Sequence, residues 1–231
     1  MTLFTMDGLM FLFRWIHLLA GVTWIGVLYY FNFIQGSFFA ETDSATKANC
    51  TQKLLPRALW WFRWGAMFTF GSGLLIILMK GHQAGFSVYA TSWGVAILTG
   101  ATLGTVMWAN VWFVIWPAQK LVIQSAKQVA EGGQPMAEAA AVAPKAALTS
   151  RTNTLFSFPM LFFMGAASHL PFEVGGGTNL GLIALVFGLI IAAIELNALK
   201  GKMGPMTTVK GVIHSGIVLT VIFYVLLEIL A

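Results

Sequence analysis

The chain has 231 residues, 58% of them hydrophobic and only 9% charged, with a net charge of +5 and a mean hydropathy of +0.81. Soluble domains carry about 25% charged residues, so this composition excludes an ordinary soluble enzyme and points to an integral membrane protein. The positive charge does not mark a nucleic-acid binder, because the lysines and arginines lie between apolar runs and form no basic patch with interleaved aromatics.

Six apolar runs are long enough to be read as membrane helices: 9–32, 58–80, 92–116, 153–170, 178–199 and 208–230. The first contains RWIHLLAGVTWIG (14–26) and is too long for a cleaved signal peptide. The second holds Arg63 and is followed by GHQAG, read as an exposed loop carrying His82. The third holds Gly100, Gly104 and Asn110. Residues 117–152 are expected to form a long cytoplasmic loop, in which AQKLVIQSAKQVAEGGQ reads as a short amphipathic helix at the membrane interface. The fourth run is short and contains Pro159, though the alanine-rich stretch before it can extend it as a helix. The fifth and sixth hold Glu195, Asn197, His214 and Glu228. No run alternates as a barrel strand would. The expectation is an all-α membrane protein, a single transmembrane domain over 1–231 built as a bundle of about six helices.

Charge in the connections predicts the orientation. Lys47, Lys53, Arg57, Lys120, Lys127, Lys145, Arg151, Lys200, Lys202 and Lys210 fall on one side, and only Lys80 on the other. Cytoplasmic loops carry the excess of lysine and arginine. Both termini are therefore expected in the periplasm, with the protein multi-pass in a bacterial inner (cytoplasmic) membrane.

Ionisable residues inside a membrane cost roughly 2.5–3.5 kcal/mol at the bilayer centre and face the bundle interior. By this topology Arg14, His17, His82, His169 and Glu228 belong to the outer half, and Arg63, Asn110, Glu195, Asn197 and His214 to the inner half. Arg14, His17, Gly21 and Trp24 share one face of the first helix at three- and four-residue spacing. Imidazole is a common axial ligand of heme iron, a guanidinium pairs with a propionate, and Gly21 would leave space for a flat porphyrin. The plainer reading stands beside it: a membrane histidine can simply bond a neighbouring helix, and small residues such as Gly21 let helices pack closely. Arg63 and Glu195 read as a buried ion pair.

Other chemistries find no motif. There is no GxSxG, HExxH or P-loop, and Gly175-Gly176-Gly177 follows no strand. The single cysteine, Cys50, allows no internal disulfide, and no CxxCH is present to attach a c-type heme. A noncovalent b-type heme in a helical bundle remains, with His17 as one iron ligand and His169 or His214 as the second. His169 is preferred because it shares the outer half with His17.

Four stretches, RWIHLLAGVTWIGVLYYFNF (14–33), ALWWFRWGAMFTFGSGLLIIL (58–78), WANVWFVIWPAQK (108–120) and RTNTLFSFPMLFFMGAASHLP (151–171), carry a family resemblance. In this order they resemble the N-terminal membrane domain of the bacterial membrane-bound urate oxidases. The H-x-x-A-G-x-x-W-I-G element is also distantly similar to the first helix of heme-containing protoporphyrinogen oxidases and of copper-resistance membrane proteins. The resemblance implies that His17 and His169 are the motif histidines, with Arg14, Trp24, Arg63 and Asn110 as further motif positions. Members of that family carry a cytochrome c domain, whereas this chain has no CxxCH. The expectation is thus a heme-binding electron-transfer module that hands electrons to a separate partner, a cytochrome c or a larger respiratory or photosynthetic complex. An oxidoreductase acting on urate or another small molecule, using an external cytochrome, is the second reading. A non-catalytic packing subunit is the third.

Overall fold

The computed structural model describes residues 2–175 and 177–231; Gly176 of the glycine run lies outside the described residues. Six long helices follow one another: α1 (Met6–Glu41), α2 (Ser44–Ala84), α3 (Ser92–Ala130), α4 (Ala137–His169), α5 (Leu180–Lys200) and α6 (Val209–Leu230). Short 3₁₀ turns at Thr2–Phe4, Phe86–Ala90 and Gly204–Thr207 complete the chain, and no strand occurs among the described residues.

Five of the six helices start at a side-chain cap, which satisfies backbone N–H groups that have no partner inside the helix. Thr5, Thr91 and Thr208 accept from the amides of Gly8, Gly94 and Gly211 at 3.2, 3.3 and 2.9 Å. Asn179 accepts from the Leu182 amide at 3.0 Å. Asp43 accepts from both the amide and the hydroxyl of Thr46, and these bonds hold its carboxyl below the usual range. At the far end of α2, Gly85 turns the chain with φ +78°, a conformation that favours glycine.

All helices except α4 are long and apolar enough to cross a membrane. Lipid-facing stripes are plain, as on α1, where Phe11, Trp15, Leu18 and Val22 are exposed at helical spacing. This is a multi-pass membrane protein. The helix α4 falls short in hydropathy because it is the centre of the bundle and packs against α1, α3, α5 and α6. Its Thr149, Thr152, Asn153, Thr154 and Ser157 are fully buried by protein. The hydroxyls of Thr149, Thr152 and Thr154 bond the carbonyls one turn back, at 2.9 to 3.1 Å, so the polar face carries no unpaired hydroxyl there.

The antiparallel packing gathers both termini and the connections at 85–91 and 170–179 at one end, here the upper end. There the Thr178 hydroxyl bonds the carbonyl of Ala231, and the Phe172 amide bonds Ser92. The lower end carries the connections at 42–43, 131–136 and 201–208.

One expectation is corrected. Residues 117–152 are not a long loop: α3 runs on to Ala130, α4 begins at Ala137, and only the few residues between leave the helical path. The amphipathic segment is the lower part of α3. Three π-helical segments interrupt the long helices, at Tyr30–Gln35, Cys50–Leu54 and Val111–Ile115. The last two end just before Pro56 and Pro117. A proline clashes with the carbonyl four residues back in a regular helix, and a wider π turn accommodates it without breaking the rod.

Candidate functional site

In the upper half, α1 to α4 line a half-open cavity of about 420 Å³. That volume lies in the ~300–1,000 Å³ range of small-molecule and cofactor pockets. Arg14, His17 and Trp24 line it from α1, Thr69, Phe70 and Gly73 from α2, and Trp93 and Gly104 from α3, while Met160, Met164 and Ser168 come from α4. The walls are largely apolar, and the few polar groups sit on the α1–α2 side and at the rim.

His17 is the best-positioned of these groups. Its Nδ1 lies 2.8 Å from the Thr69 carbonyl oxygen and 3.2 Å from Ser72 Oγ. A carbonyl can only accept, so Nδ1 carries the proton and donates. The Ser72 hydroxyl spends its own hydrogen on the Phe68 carbonyl, at 2.5 Å. In the neutral ring Nε2 then keeps its lone pair. This is the tautomer a metal-binding histidine adopts when the ring is held by a backbone acceptor.

The ring fits against α2 because position 73 has no side chain. A Cβ at Gly73 would lie 2.9 Å from His17 Cε1 and 3.2 Å from its Nδ1. The helices themselves close up at Gly65, where a Cβ would meet the Trp24 amide nitrogen at 3.1 Å. Gly65, Thr69 and Gly73 thus form a small-residue stripe at four-residue spacing, the pattern that lets membrane helices approach. Gly21 does not line the cavity. A Cβ there would touch only Thr69, at an ordinary 3.9 Å. Gly73 instead makes room for the His17 ring itself, and the FGSG stretch (70–73) carries the sequence signal for it.

Arg14 is exposed at the cavity edge. Trp24 is 1% exposed, and its indole N–H has no partner among the described residues. The structure does not bring the other histidines to this cavity. His169 ends α4 one residue beyond Ser168 and is exposed, and His214 is exposed near the lower end of α6. His82 is exposed in the last turn of α2, which continues through Ala84 where a loop was expected.

A second polar group ties the lower half together. Asn110 Nδ2 donates to Asn153 Oδ1 and to Glu195 Oε2, both at 2.9 Å, and Asn153 Nδ2 donates to the Met107 carbonyl at 2.9 Å. The cluster joins α3, α4 and α5 beside the π segment at Val111–Ile115. Arg63 is not the partner of Glu195, as the expected ion pair would require. Its guanidinium lies 4.0 Å from the ring centre of Trp116 and 5.8 Å from those of Trp64 and Trp112, an aromatic cage that stabilises the cation through the ring faces. Replacing Asn153 with alanine leaves the Asn110 amide short of an acceptor. The variant is expected to lose about 1–3 kcal/mol of stability, read as a lower unfolding midpoint in detergent with the upper cavity unaltered. An unchanged midpoint would show that the cluster contributes nothing.

The fold is that of a polytopic helical bundle, with the His17 imidazole held at a half-open, largely apolar cavity lined by α1 to α4. The chain belongs to the urate oxidase N-terminal family, which matches residues 82–226. The matched stretch covers α3, α4, α5 and most of α6, including Asn110, Asn153, Met160, Met164 and His169, while His17 precedes it. No curated protein and no solved structure matches the chain.

Proposed function

We propose that this protein is the membrane module of a urate-oxidase-like redox system, holding a b-type heme in the upper cavity with His17 as an iron ligand. The observation that carries this reading is the His17 Nδ1–Thr69 carbonyl bond, which leaves Nε2 free as a donor atom inside a cavity walled by apolar side chains. The residues present suit the group. Gly73 seats the His17 ring against α2, Phe70 and Trp93 offer ring faces, and Arg14 at the edge suits a propionate. The unpaired Trp24 indole N–H is a buried donor that a bound group would satisfy.

When bound, the heme would supply a reversible one-electron couple. The chain's own groups set the conditions. Thr69 and Ser72 hold the imidazole in one tautomer and orientation, the apolar walls exclude water, and Arg14 would balance carboxylate charge at the rim. The basic residues of the lower connections favour a cytoplasmic lower end and a periplasmic upper end in a bacterial inner membrane. The site would then lie in the periplasmic half, within reach of a separate acceptor such as a cytochrome c or a larger respiratory or photosynthetic complex.

Family membership favours a second, catalytic reading, in which urate or another small reduced molecule delivers its electrons to this site and an external cytochrome removes them. The optical spectrum of purified protein tests the first reading. It is expected to show a Soret band and a sharp reduced α-band, with about one extractable heme per chain. Colourless protein with no heme by pyridine extraction would overturn it. Reduction of the heme on adding urate under anaerobic conditions would decide for the enzyme over the carrier.

A further inference from the structure

We infer that the second iron ligand at this site is the thioether of Met164, which rests on the heme reading just given. Two observations carry it. First, the donor set of the cavity is short. Besides His17, the lining holds no other imidazole, thiol or amine among the described residues, and the soft donors there are the sulfurs of Met160 and Met164. The histidines expected to complete the pair, His169 and His214, lie outside it. Second, the methionines are seated on the wall opposite the imidazole. His17 is held against α2 at Gly73, whereas Met164 is packed against α3, where a Cβ at Gly100 would meet its Cε and Cγ at 3.2 Å.

The two methionines are not equivalent. Met160 is 6% exposed, and its Cγ lies 3.9 Å from where a Gly104 Cβ would stand. It serves as packing at the α3–α4 contact. Met164, one turn higher, is only half-buried, and its unbranched side chain has rotamers to spare. The absence of a side chain at Gly100 is what gives Met164 its place, so this glycine acts as a positioning residue for the sulfur just as Gly73 does for the imidazole.

The pairing has a functional consequence. Histidine–methionine ligation raises the potential of a heme relative to two histidines. Such a site accepts electrons readily from a reduced organic molecule and suits a high-potential cytochrome as its outlet. With both His17 and Met164 bound, the iron would have no position open to dioxygen, and the site would serve as an electron relay.

The test is spectroscopic and uses the purified full chain. Ferric wild-type protein is expected to be low-spin, to show the weak far-red charge-transfer band of sulfur-ligated heme, and in the ferrous state to resist carbon monoxide. Met164→Leu is expected to keep its heme through His17, to lose the far-red band, to become high-spin and to bind carbon monoxide. Met164→His should restore the low-spin state without the far-red band and lower the midpoint potential. Met160→Leu should leave all of these signatures in place. Heme retained in Met164→Leu with an unchanged spectrum, or a far-red band lost in Met160→Leu alone, overturns the assignment of Met164 while leaving His17 and the heme standing. Wild-type protein without heme overturns both together.

Discussion

Replacing His17 with glycine is expected to strip the protein of its heme, and adding imidazole to bring it back. The substitution removes the only imidazole on the cavity and opens a space of matching shape beside Gly73. Free imidazole entering that space meets the same Thr69 carbonyl that orients the native ring. A folded variant that keeps full heme without imidazole would remove His17 from the ligand set. A variant that loses heme and is not rescued would point to a packing role, because a structural defect has no reason to answer to imidazole. Ser72→Ala provides a graded companion. It removes one of the two contacts to Nδ1, and changes to such outer partners weaken metal affinity by roughly 10–100-fold.

The second large effect is expected at a glycine. Gly73→Val places a branched side chain where even a Cβ would stand 2.9 Å from His17 Cε1. The imidazole must swing away, breaking its bond to the Thr69 carbonyl and turning Nε2 off the cavity. Heme content should fall sharply, and overpacking should add a stability cost of about 1–3 kcal/mol. Gly71→Ala is the control on the same helix, since a Cβ there meets nothing within 4 Å. It should leave heme content unchanged and the unfolding midpoint no lower than wild type, since alanine is the better helix former. Equal heme content in the two variants would show that the His17 ring is not held as described.

The contrast between Gly21 and Gly73 shows what one helix can reveal alone. Three- and four-residue spacing grouped Arg14, His17 and Trp24 on a common face, and all three line one cavity. The same spacing assigned the missing side chain to Gly21, because it compares only residues of a single helix. Which residue of a neighbouring helix approaches His17 depends on the pairing of α1 with α2, and that is set by the close contact at Gly65. Helical periodicity carries no record of that pairing.

Hydropathy misjudged α4 for a related reason. Scales built on transfer to lipid penalise Thr149, Thr152, Asn153, Thr154 and Ser157, yet these side chains meet protein on every side. The weak fourth run is the most deeply packed helix. The error at 117–152 has a different origin. The apolar run ends at residue 116, and the more polar stretch after it reads as a loop. The π turn at Val111–Ile115 instead carries the helix through Pro117, and no residue type announces such a turn. Arg63 and Glu195 were paired by shared depth, but depth leaves lateral position open. The structure gives the cation to three tryptophans and the carboxylate to Asn110.

The central claim is that the cavity between α1, α2, α3 and α4 holds a heme on His17. An experimental density map of protein purified from its native membrane tests it most directly. A planar density is expected to fill this cavity, with its metal peak on the Nε2 side of His17 and a carboxylate-bearing edge toward Arg14. A map showing lipid there, or a His17 ring with Nε2 bonded to another side chain, would contradict it.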